Sequence, residues 1–142
     1  MLNWSDTIDD VDWDELSALY RAAPLGDKPP ALLRQVFGQS MYRALVRHGG
    51  RLVGAGRVLA DGGDCACLCD IAVLPSHQGT GLGGQIVDSL VELARGHRKI
   101  ILYAVPGKEP FYRKHGFMRM STAMAIFQNQ AQQLERGYLH AD

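Results

Sequence analysis

Residues 69–96 read CDIAVLPSHQGTGLGGQIVDSLVELARG and contain the clearest structural pattern of the chain. It begins with a short apolar run that Pro75 stops, which is typical of a buried strand. Four glycines follow at positions 79, 81, 83 and 84, and an amphipathic pattern of apolar residues then runs to Ala94. The stretch therefore predicts a strand, a glycine turn and a helix, in that order.

The glycine turn is a candidate phosphate site because it lies at the N-terminus of the predicted helix. We expect the four glycines to let the backbone take positive φ, so that several N–H groups converge on one point. The positive end of the helix dipole adds about 0.3–1 kcal/mol per favourable charge, which is less than the converging hydrogen bonds contribute. The turn thus predicts a ligand that carries phosphate.

Two common nucleotide motifs fit this turn poorly. The spacing Gly79-x-Gly81-x-x-Gly84 matches the dinucleotide fingerprint, but the next predicted strand, residues 99–105, ends without the acidic residue that would hold a ribose. A P-loop is excluded because no Gly-Lys-Ser/Thr follows. A nucleotide-binding protein that uses the glycine turn alone stays open as an alternative.

A second motif, PFYRKHGF at residues 110–117, lies about 30 residues downstream. Together with Gln78-x-x-Gly81-x-Gly83, it resembles the GNAT acyltransferase superfamily over residues 51–127. Two motifs in the correct order and spacing are more specific than either alone. The resemblance implies one domain over residues 1–142 that transfers an acetyl group from acetyl-CoA, its co-substrate, to a primary amine. A non-catalytic module that senses acyl-CoA is a further alternative.

The same resemblance implies where coenzyme A binds. In the family, the Gln/Arg-x-x-Gly-x-Gly/Ala turn holds the pyrophosphate, and the fourth strand pairs with the pantetheine arm through its backbone. The residues that match these roles, with the aromatic neighbour of the family's tyrosine, are Ile71, Ala72, Val73, Gln78, Gly79, Thr80, Gly81, Leu82, Gly83, Gly84 and Phe111. No metal is implied. Where many members have Asn at the end of the fifth strand, this chain has Val105-Pro106-Gly107.

Tyr112 and Asp70 are the candidate catalytic residues. A phenol titrates near 10 and a thiol near 8.5, so Tyr112 keeps its proton at neutral pH and can protonate the departing thiolate; the alternative is that it packs beside Phe111. Asp70 is the candidate base, and strand alternation predicts it on the face opposite the cysteines. Its alternative role is a hydrogen bond to backbone or an ion pair with Arg57.

The three cysteines, at positions 65, 67 and 69, alternate along one predicted strand and so share a face. Structural zinc sites usually place two or more residues between paired ligands, and neighbours at i and i+2 on a flat strand form a disulfide poorly. We therefore expect reduced thiols and no metal.

The composition is that of an ordinary globular protein. The chain has 142 residues, 46% of them hydrophobic and 21% charged, with a formal net charge of zero. This balance argues against a nucleic-acid binder, and no stretch resembles a membrane span or a signal peptide. We expect a cytoplasmic enzyme with a small-molecule acceptor, and the family resemblance implies a homodimer. Protein N-termini or lysines stay open as alternative acceptors.

Charge is unevenly distributed along the sequence. Residues 1–20 carry six acidic side chains and no Lys or Arg, whereas residues 95–119 carry seven basic side chains and the single acid Glu109. A basic rim there could meet the 3′-phosphate of coenzyme A, and the acidic end could attract a cationic amine. Both sets are equally consistent with solvated helix faces.

The remaining patterns predict an α/β fold with a mixed, mostly antiparallel sheet and helices on both faces. The resemblance to the GNAT family implies that the fourth and fifth strands of this sheet are a splayed parallel pair. The splayed pair is formed by residues 69–73 and 99–105. Further strands are predicted at residues 2–5, 42–48, 51–59, 117–121 and 124–127, and Gly49-Gly50 predicts a tight hairpin between the second and third of these. Helices are predicted from residue 12 to 22, with Asp12-x-x-Glu15 as the capping pattern, and at residues 31–39 and 110–115, with a closing helix or tail at 128–137.

Overall fold

A computed structural model describes all residues, 1–142. The chain forms two compact units, Met1–Leu102 and Tyr103–Asp142. The first unit contains β1 (Leu2–Ser5), α1 (Trp13–Ala22), α2 (Pro30–Gln39), β2 (Tyr42–His48), β3 (Arg51–Ala60), β4 (Cys65–Val73), a 3₁₀ turn (Pro75–His77), α3 (Leu82–Ala94) and β5 (Lys99–Ile101).

The strands form one five-stranded sheet in the order β1-β2-β3-β4-β5. Neighbours from β1 to β4 are antiparallel, and β4 and β5 are parallel. Gly49 and Gly50 join β2 to β3 with φ of 60° and 81°, as a tight hairpin requires. The predicted mixed, mostly antiparallel sheet is therefore confirmed.

The turn between β3 and β4 is organised by Asp61. Its Oδ1 accepts hydrogen bonds from the backbone N–H groups of Gly63, Asp64 and Cys65 at 2.7–3.1 Å. These bonds favour the ionised carboxylate and lower the pKa of Asp61 to about 2. The turn thus fixes the point at which β4 starts.

The parallel pair is short and then parts. Only Cys65–Cys67 of β4 pair with Lys99–Ile101 of β5, so the rest of β4 has no strand beside it on that edge. The fifth strand was predicted to run to residue 105, but it ends at Ile101. A strand needs a partner for its ladder of hydrogen bonds, and β4 offers one only as far as Cys67.

Helices cover both faces of the sheet. Alternate residues of β3 point to opposite faces, and the even-numbered Gly54 and Gly56 lie beneath α3: a Cβ at Gly54 would lie 2.8 Å from Ile86 Cδ1. On the other face α1 packs against β3 and β4. Asp12 caps α1 by accepting from the N–H groups of Asp14 and Glu15, as the sequence predicted. Tyr20 and Phe37 are fully buried in this layer.

The second unit contains α4 (Glu109–Arg113) and α5 (Gln130–Glu135). The strands predicted at residues 117–121 and 124–127 are wrong, because both segments are irregular. Their apolar side chains do not face a core: Met118 is 88% exposed and Met124 is 96% exposed. A strand-like apolar pattern does not form a strand without a neighbouring strand to pair with.

None of the helices combines the length and hydropathy of a membrane-spanning segment, and the longest, α3, has 13 residues.

We predict that Gly56→Ala lowers the free energy of unfolding by about 1–3 kcal/mol, the usual cost of an added methyl group in a packed core. The new Cβ would lie 2.9 Å from Leu90 Cδ1, 3.2 Å from Ile86 Cγ2 and 3.3 Å from Ile71 Cγ1. Urea unfolding measures the change.

Gly63→Ala is the matched control, because a Cβ there meets nothing within 4 Å. We expect it to stay within about 0.5 kcal/mol of the parent protein. Equal stability of the two variants would show that α3 shifts at no cost, contrary to this prediction.

Candidate active site

The glycine turn leads into α3 as predicted, but its glycines divide into two kinds. Gly79 and Gly81 have φ of 79° and 89°, and Gly81 is the N-cap of α3. Gly83 and Gly84 lie inside the helix and do not have positive φ, so the expectation that all four would is wrong for these two. The N–H groups of a helix already point toward its N-terminus, so Gly83 and Gly84 need no left-handed conformation to direct theirs.

The N-terminus of α3 is chemically suited to an anion. No side chain caps it, and its first intrahelical bond runs from Gln85 N–H to the Gly81 carbonyl. The N–H groups of residues 82–84 therefore lack intrahelical acceptors. A Cβ at Gly79 or Gly81 would meet no atom within 4 Å, so the backbone of the turn is approachable. The turn can therefore accept an anionic group, and its role in binding pyrophosphate stays a prediction.

Gln78 ties this turn to the end of β4. Its Nε2 donates to the Val73 carbonyl at 2.9 Å and to the Ala23 carbonyl at 3.4 Å. Thr80 closes the turn by donating from Oγ1 to the His77 carbonyl. The structure thus brings together, in the first unit, the predicted cofactor residues from Ile71 to Gly84, and their role stays a prediction.

His77 belongs to the same turn and contacts a second histidine. Its Nε2 lies 2.9 Å from His48 Nδ1, and its Nδ1 lies 2.8 Å from Ser76 Oγ. These contacts join the end of β2 to the 3₁₀ turn.

A β-bulge interrupts β4 just before its open edge. Ala55 pairs with Ala72 and Arg57 pairs with Cys69, so Asp70 and Ile71 together face the single residue Gly56. Asp70 has φ of 57° and is the one residue other than glycine with positive φ. This conformation costs an L-residue free energy, so it persists only where the surrounding structure stabilises it.

The bulge corrects the predicted orientation of Asp70. Arg57 and Cys69 are cross-strand partners, so their side chains share a face. The carboxylate of Asp70 contacts Arg57 and thus lies on the cysteine face, not opposite it. Regular alternation fails here because the left-handed residue turns its side chain.

Tyr20 of α1 holds the bulge from that face. Its hydroxyl donates to the Asp70 carbonyl at 2.6 Å, and the ring is fully buried. Burial raises the pKa of Tyr20 well above its ordinary value, and the nearby Asp70 carboxylate adds to the shift. The phenol therefore stays a proton donor at every physiological pH.

Two cations flank the Asp70 carboxylate. Arg57 Nε lies 2.7 Å from Oδ2, and Lys28 Nζ lies 3.3 Å from Oδ1. All three side chains are mostly buried, with 13%, 26% and 18% of Arg57, Lys28 and Asp70 exposed. These contacts favour the ion pair among the two roles considered for Asp70, and its role as a base stays a prediction.

The cysteines are free thiols on the Arg57 face. Cys67 Sγ and Cys69 Sγ lie 3.9 Å apart. The hydrogen bond from Cys69 lowers the pKa of the Cys67 thiol to about 7, whereas the same bond, with burial, raises the pKa of Cys69. The shared face predicted for these residues is therefore confirmed for this pair.

Tyr112 and Phe111 belong to the second unit. Both lie on α4 and are half-buried, with ring centroids 5.0 Å apart, and Tyr112 also packs against Phe117 at 6.0 Å. Burial raises the pKa of Tyr112 above its ordinary value, so the phenol is protonated at neutral pH. This state suits a proton donor, and the roles of both residues stay predictions.

Sequence reasoning missed Lys28 and the function of Tyr20. Tyr20 lies on α1, and Lys28 lies in the loop between α1 and α2. Both meet Asp70 across long stretches of sequence, so no local motif marked them. The one available signal was the isolated acid Asp70 on an apolar strand, which requires partners.

We predict that Tyr20→Phe lowers the free energy of unfolding by about 1–3 kcal/mol, because the Asp70 carbonyl loses its donor while the ring packing is kept. Urea unfolding measures the loss. Tyr42→Phe is the control, since the Tyr42 ring packs edge-on against His97 and its hydroxyl makes no comparable bond; we expect a change within about 0.5 kcal/mol. An equal effect of both variants would contradict the role given to Tyr20.

Two relatives illustrate what this chain is similar to. It is 35% identical over 86 residues to glucosamine 6-phosphate N-acetyltransferase 1 of Oryza sativa subsp. japonica, covering 55% of this chain and 52% of the relative. It is 43% identical over 70 residues to serotonin N-acetyltransferase 2, chloroplastic, of the same plant, covering 48% and 35%. The chain spans about half or less of the length of these relatives.

A solved structure matches over nearly its whole length. It is the probable acetyltransferase SA2161 from meticillin-resistant Staphylococcus aureus, with a TM-score of 0.80, 26% identity and coverage of 89% of this chain and 99% of that one. The model of the Acetyltransferase (GNAT) family matches residues 7–117. The match includes the glycine turn, the bulged strand and the tyrosine helix, and the chain therefore belongs to the GNAT acetyltransferase family.

Proposed function

We propose that this protein is an N-acetyltransferase that moves the acetyl group of acetyl-CoA directly to the primary amine of a small molecule. The observation that carries the proposal is the continuity of the open edge of β4 with the uncapped N-terminus of α3. Only residues 74–81 lie between them, and Gln78 in this segment donates a hydrogen bond to the Val73 carbonyl. An extended arm and a pyrophosphate need these two features next to each other.

The backbone of Ile71 and Val73 holds the pantetheine arm in this proposal, as an added strand would be held. A backbone N–H at this edge faces the thioester oxygen as negative charge develops on it. The N–H groups at the start of α3 and of the positive-φ glycines bind the pyrophosphate. All of these groups are fixed by the sheet and the helix, so the site is preorganised.

Transfer requires a neutral amine as the nucleophile. The C–N bond forms at the thioester carbon as the C–S bond breaks, and Tyr112 gives its proton to the departing thiolate. The proton released from the amine goes to solvent, because both oxygens of Asp70 already contact cations. The alternative, favoured by the sequence, is that Asp70 takes this proton.

A small-molecule acceptor is supported by the two relatives whose names specify glucosamine 6-phosphate and serotonin. An arylalkylamine is thus one class to include in an acceptor screen. A homodimer and a cytoplasmic location remain predictions.

We predict that acetyl-CoA and CoA raise the melting temperature and that NAD and ATP do not. A ligand at about 100 times its Kd adds roughly 2.7 kcal/mol to the stability of the folded state. Gly81→Val places a branched residue at φ of 89° in the middle of the turn, so it should abolish the response.

Gly26→Val is the matched control for that variant. Its φ is 101° and a Cβ there meets nothing within 4 Å, so the strain is similar but lies in the loop between α1 and α2. Stabilisation by NAD or ATP, and none by CoA, would favour a nucleotide-binding protein. Stabilisation by acetyl-CoA without turnover of any amine would favour an acyl-CoA sensor.

We predict that Tyr112→Phe lowers kcat by about 10²–10⁴-fold and leaves the Kd for acetyl-CoA nearly unchanged, because only proton donation is lost. Stopped assays of CoA release and calorimetric titration give the two quantities. Tyr138→Phe, which also removes a phenol in an aromatic cluster of the second unit, should keep kcat. An undiminished kcat in Tyr112→Phe would leave Tyr112 as a packing residue only.

A further inference from the structure

The cations around Asp70 exceed what the carboxylate can neutralise. Lys28 and Arg57 each contact one of its two oxygens, which gives two positive charges to one negative charge. The other ion pairs of the first unit are balanced: Arg21 pairs with Asp27, Arg95 with Glu92, and Lys99 with Asp64. The cluster of Lys28, Arg57 and Asp70, here called the cationic cluster, is the exception.

No neighbouring group removes this excess. Tyr20 is neutral because burial raises its pKa, and its ring lies under Lys28, with Nζ 5.6 Å from the ring centroid. Ser40 offers Arg57 Nη1 a neutral hydroxyl at 3.4 Å. Cys67 is the only other nearby group that can ionise easily, and its pKa of about 7 leaves it mainly neutral at pH 6. The cluster then carries about one unit of positive charge.

The two cations also have donors to spare. Arg57 uses Nε on Asp70 and Nη1 on Ser40, while its Nη2 makes no hydrogen bond within the chain. Lys28 has three N–H donors and one carboxylate contact. Both side chains are mostly buried but keep some exposure to solvent, 13% for Arg57 and 26% for Lys28. A charge in such a half-buried place interacts with a ligand more strongly than one in bulk water.

The position of the cationic cluster favours a role in binding the acceptor over a role in binding coenzyme A. Asp70 immediately precedes Ile71, whose backbone is the proposed partner of the pantetheine arm, and the cluster lies on the α1 face of the bulge. The pyrophosphate turn lies beyond Val73, at the other end of that strand segment. A group bound to Lys28 and Arg57 is thus held beside the thioester end of the arm.

We propose that Lys28 and Arg57 bind an anionic group of the acceptor, a carboxylate or a phosphate, so that the substrates are amines that also carry a negative charge. Asp70 contacts both cations and so holds them close together, and each cation keeps donors that Asp70 does not use. This inference rests on the proposed function, since it concerns the acceptor of that reaction.

The test compares amines that differ only in the anionic group. Tyrosine is paired with tyramine for a carboxylate, and glucosamine 6-phosphate with glucosamine for a phosphate. At pH 6 to 7 we expect the anionic member of at least one pair to have a kcat/KM at least about tenfold higher, the effect of one hydrogen bond between charged groups. The pair that shows the preference identifies the anion.

Lys28→Met removes one charge and keeps most of the apolar stem. We expect the ratio of kcat/KM for the anionic member to that for the neutral member to fall by about tenfold. Lys99→Met is the matched control, because Lys99 also pairs with one aspartate but lies at the exposed start of β5; its ratio should stay within about twofold. Equal ratios in the parent protein and Lys28→Met would overturn the inference.

A binding measurement keeps this result separate from the proposed function. Each amine is titrated calorimetrically into protein saturated with CoA, and the anionic member should bind more tightly in the parent than in Lys28→Met. Tighter binding of the neutral member, or no difference within either pair, would overturn the anionic subsite while leaving acetyl transfer intact. Failure of CoA to bind at all would instead overturn the proposed function, and this inference with it.

Discussion

The hydrogen bond from the Tyr20 hydroxyl to the Asp70 carbonyl is the interaction on which the rest of the site depends. Asp70 adopts a left-handed conformation that costs an L-residue free energy, and a buried donor on α1 compensates for part of that cost. The bulge shifts the alternation of β4 by one residue. The side chains beyond the bulge, including those of Ile71 and Val73, therefore point to the opposite face of the sheet from the one they would take in a regular strand.

The strand β4 therefore makes different contacts at its start, at its bulge and at its end. At its start β4 pairs with β3 and β5, as an ordinary central strand does. Beyond Cys67 the edge of β4 that faces β5 has no partner strand. Lys28 and Arg57 contact Asp70 at the bulge, and Gln78 hydrogen-bonds the glycine turn to the end of the strand. The sheet and α3 give these features fixed positions, so binding requires little further ordering of the backbone.

Local signals in the sequence were sufficient for the framework. The glycine turn, the Gly49-Gly50 hairpin and the Asp12 cap depend on a few adjacent residues, and each was located from them. The left-handed Asp70 was not foreseeable, because aspartate gives no sign of positive φ within an apolar strand. Its contacts with Tyr20 and Lys28 join residues far apart in the sequence, where periodicity carries no information. The two strands expected near the C-terminus failed for the opposite reason, since their pattern was favourable but no partner strand exists beside them.

The close approach of α3 to β3 has a consequence for how this sequence can change over generations. Gly54 and Gly56 leave room for the branched side chains of Ile86 and Leu90, with no space for a further carbon. Growth at one of these strand positions therefore requires shrinkage on the helix, and either change alone is unfavourable. Residue size at positions 54 and 56 should vary inversely with residue size at positions 86 and 90 among diverging sequences, so that the packed layer evolves as one unit.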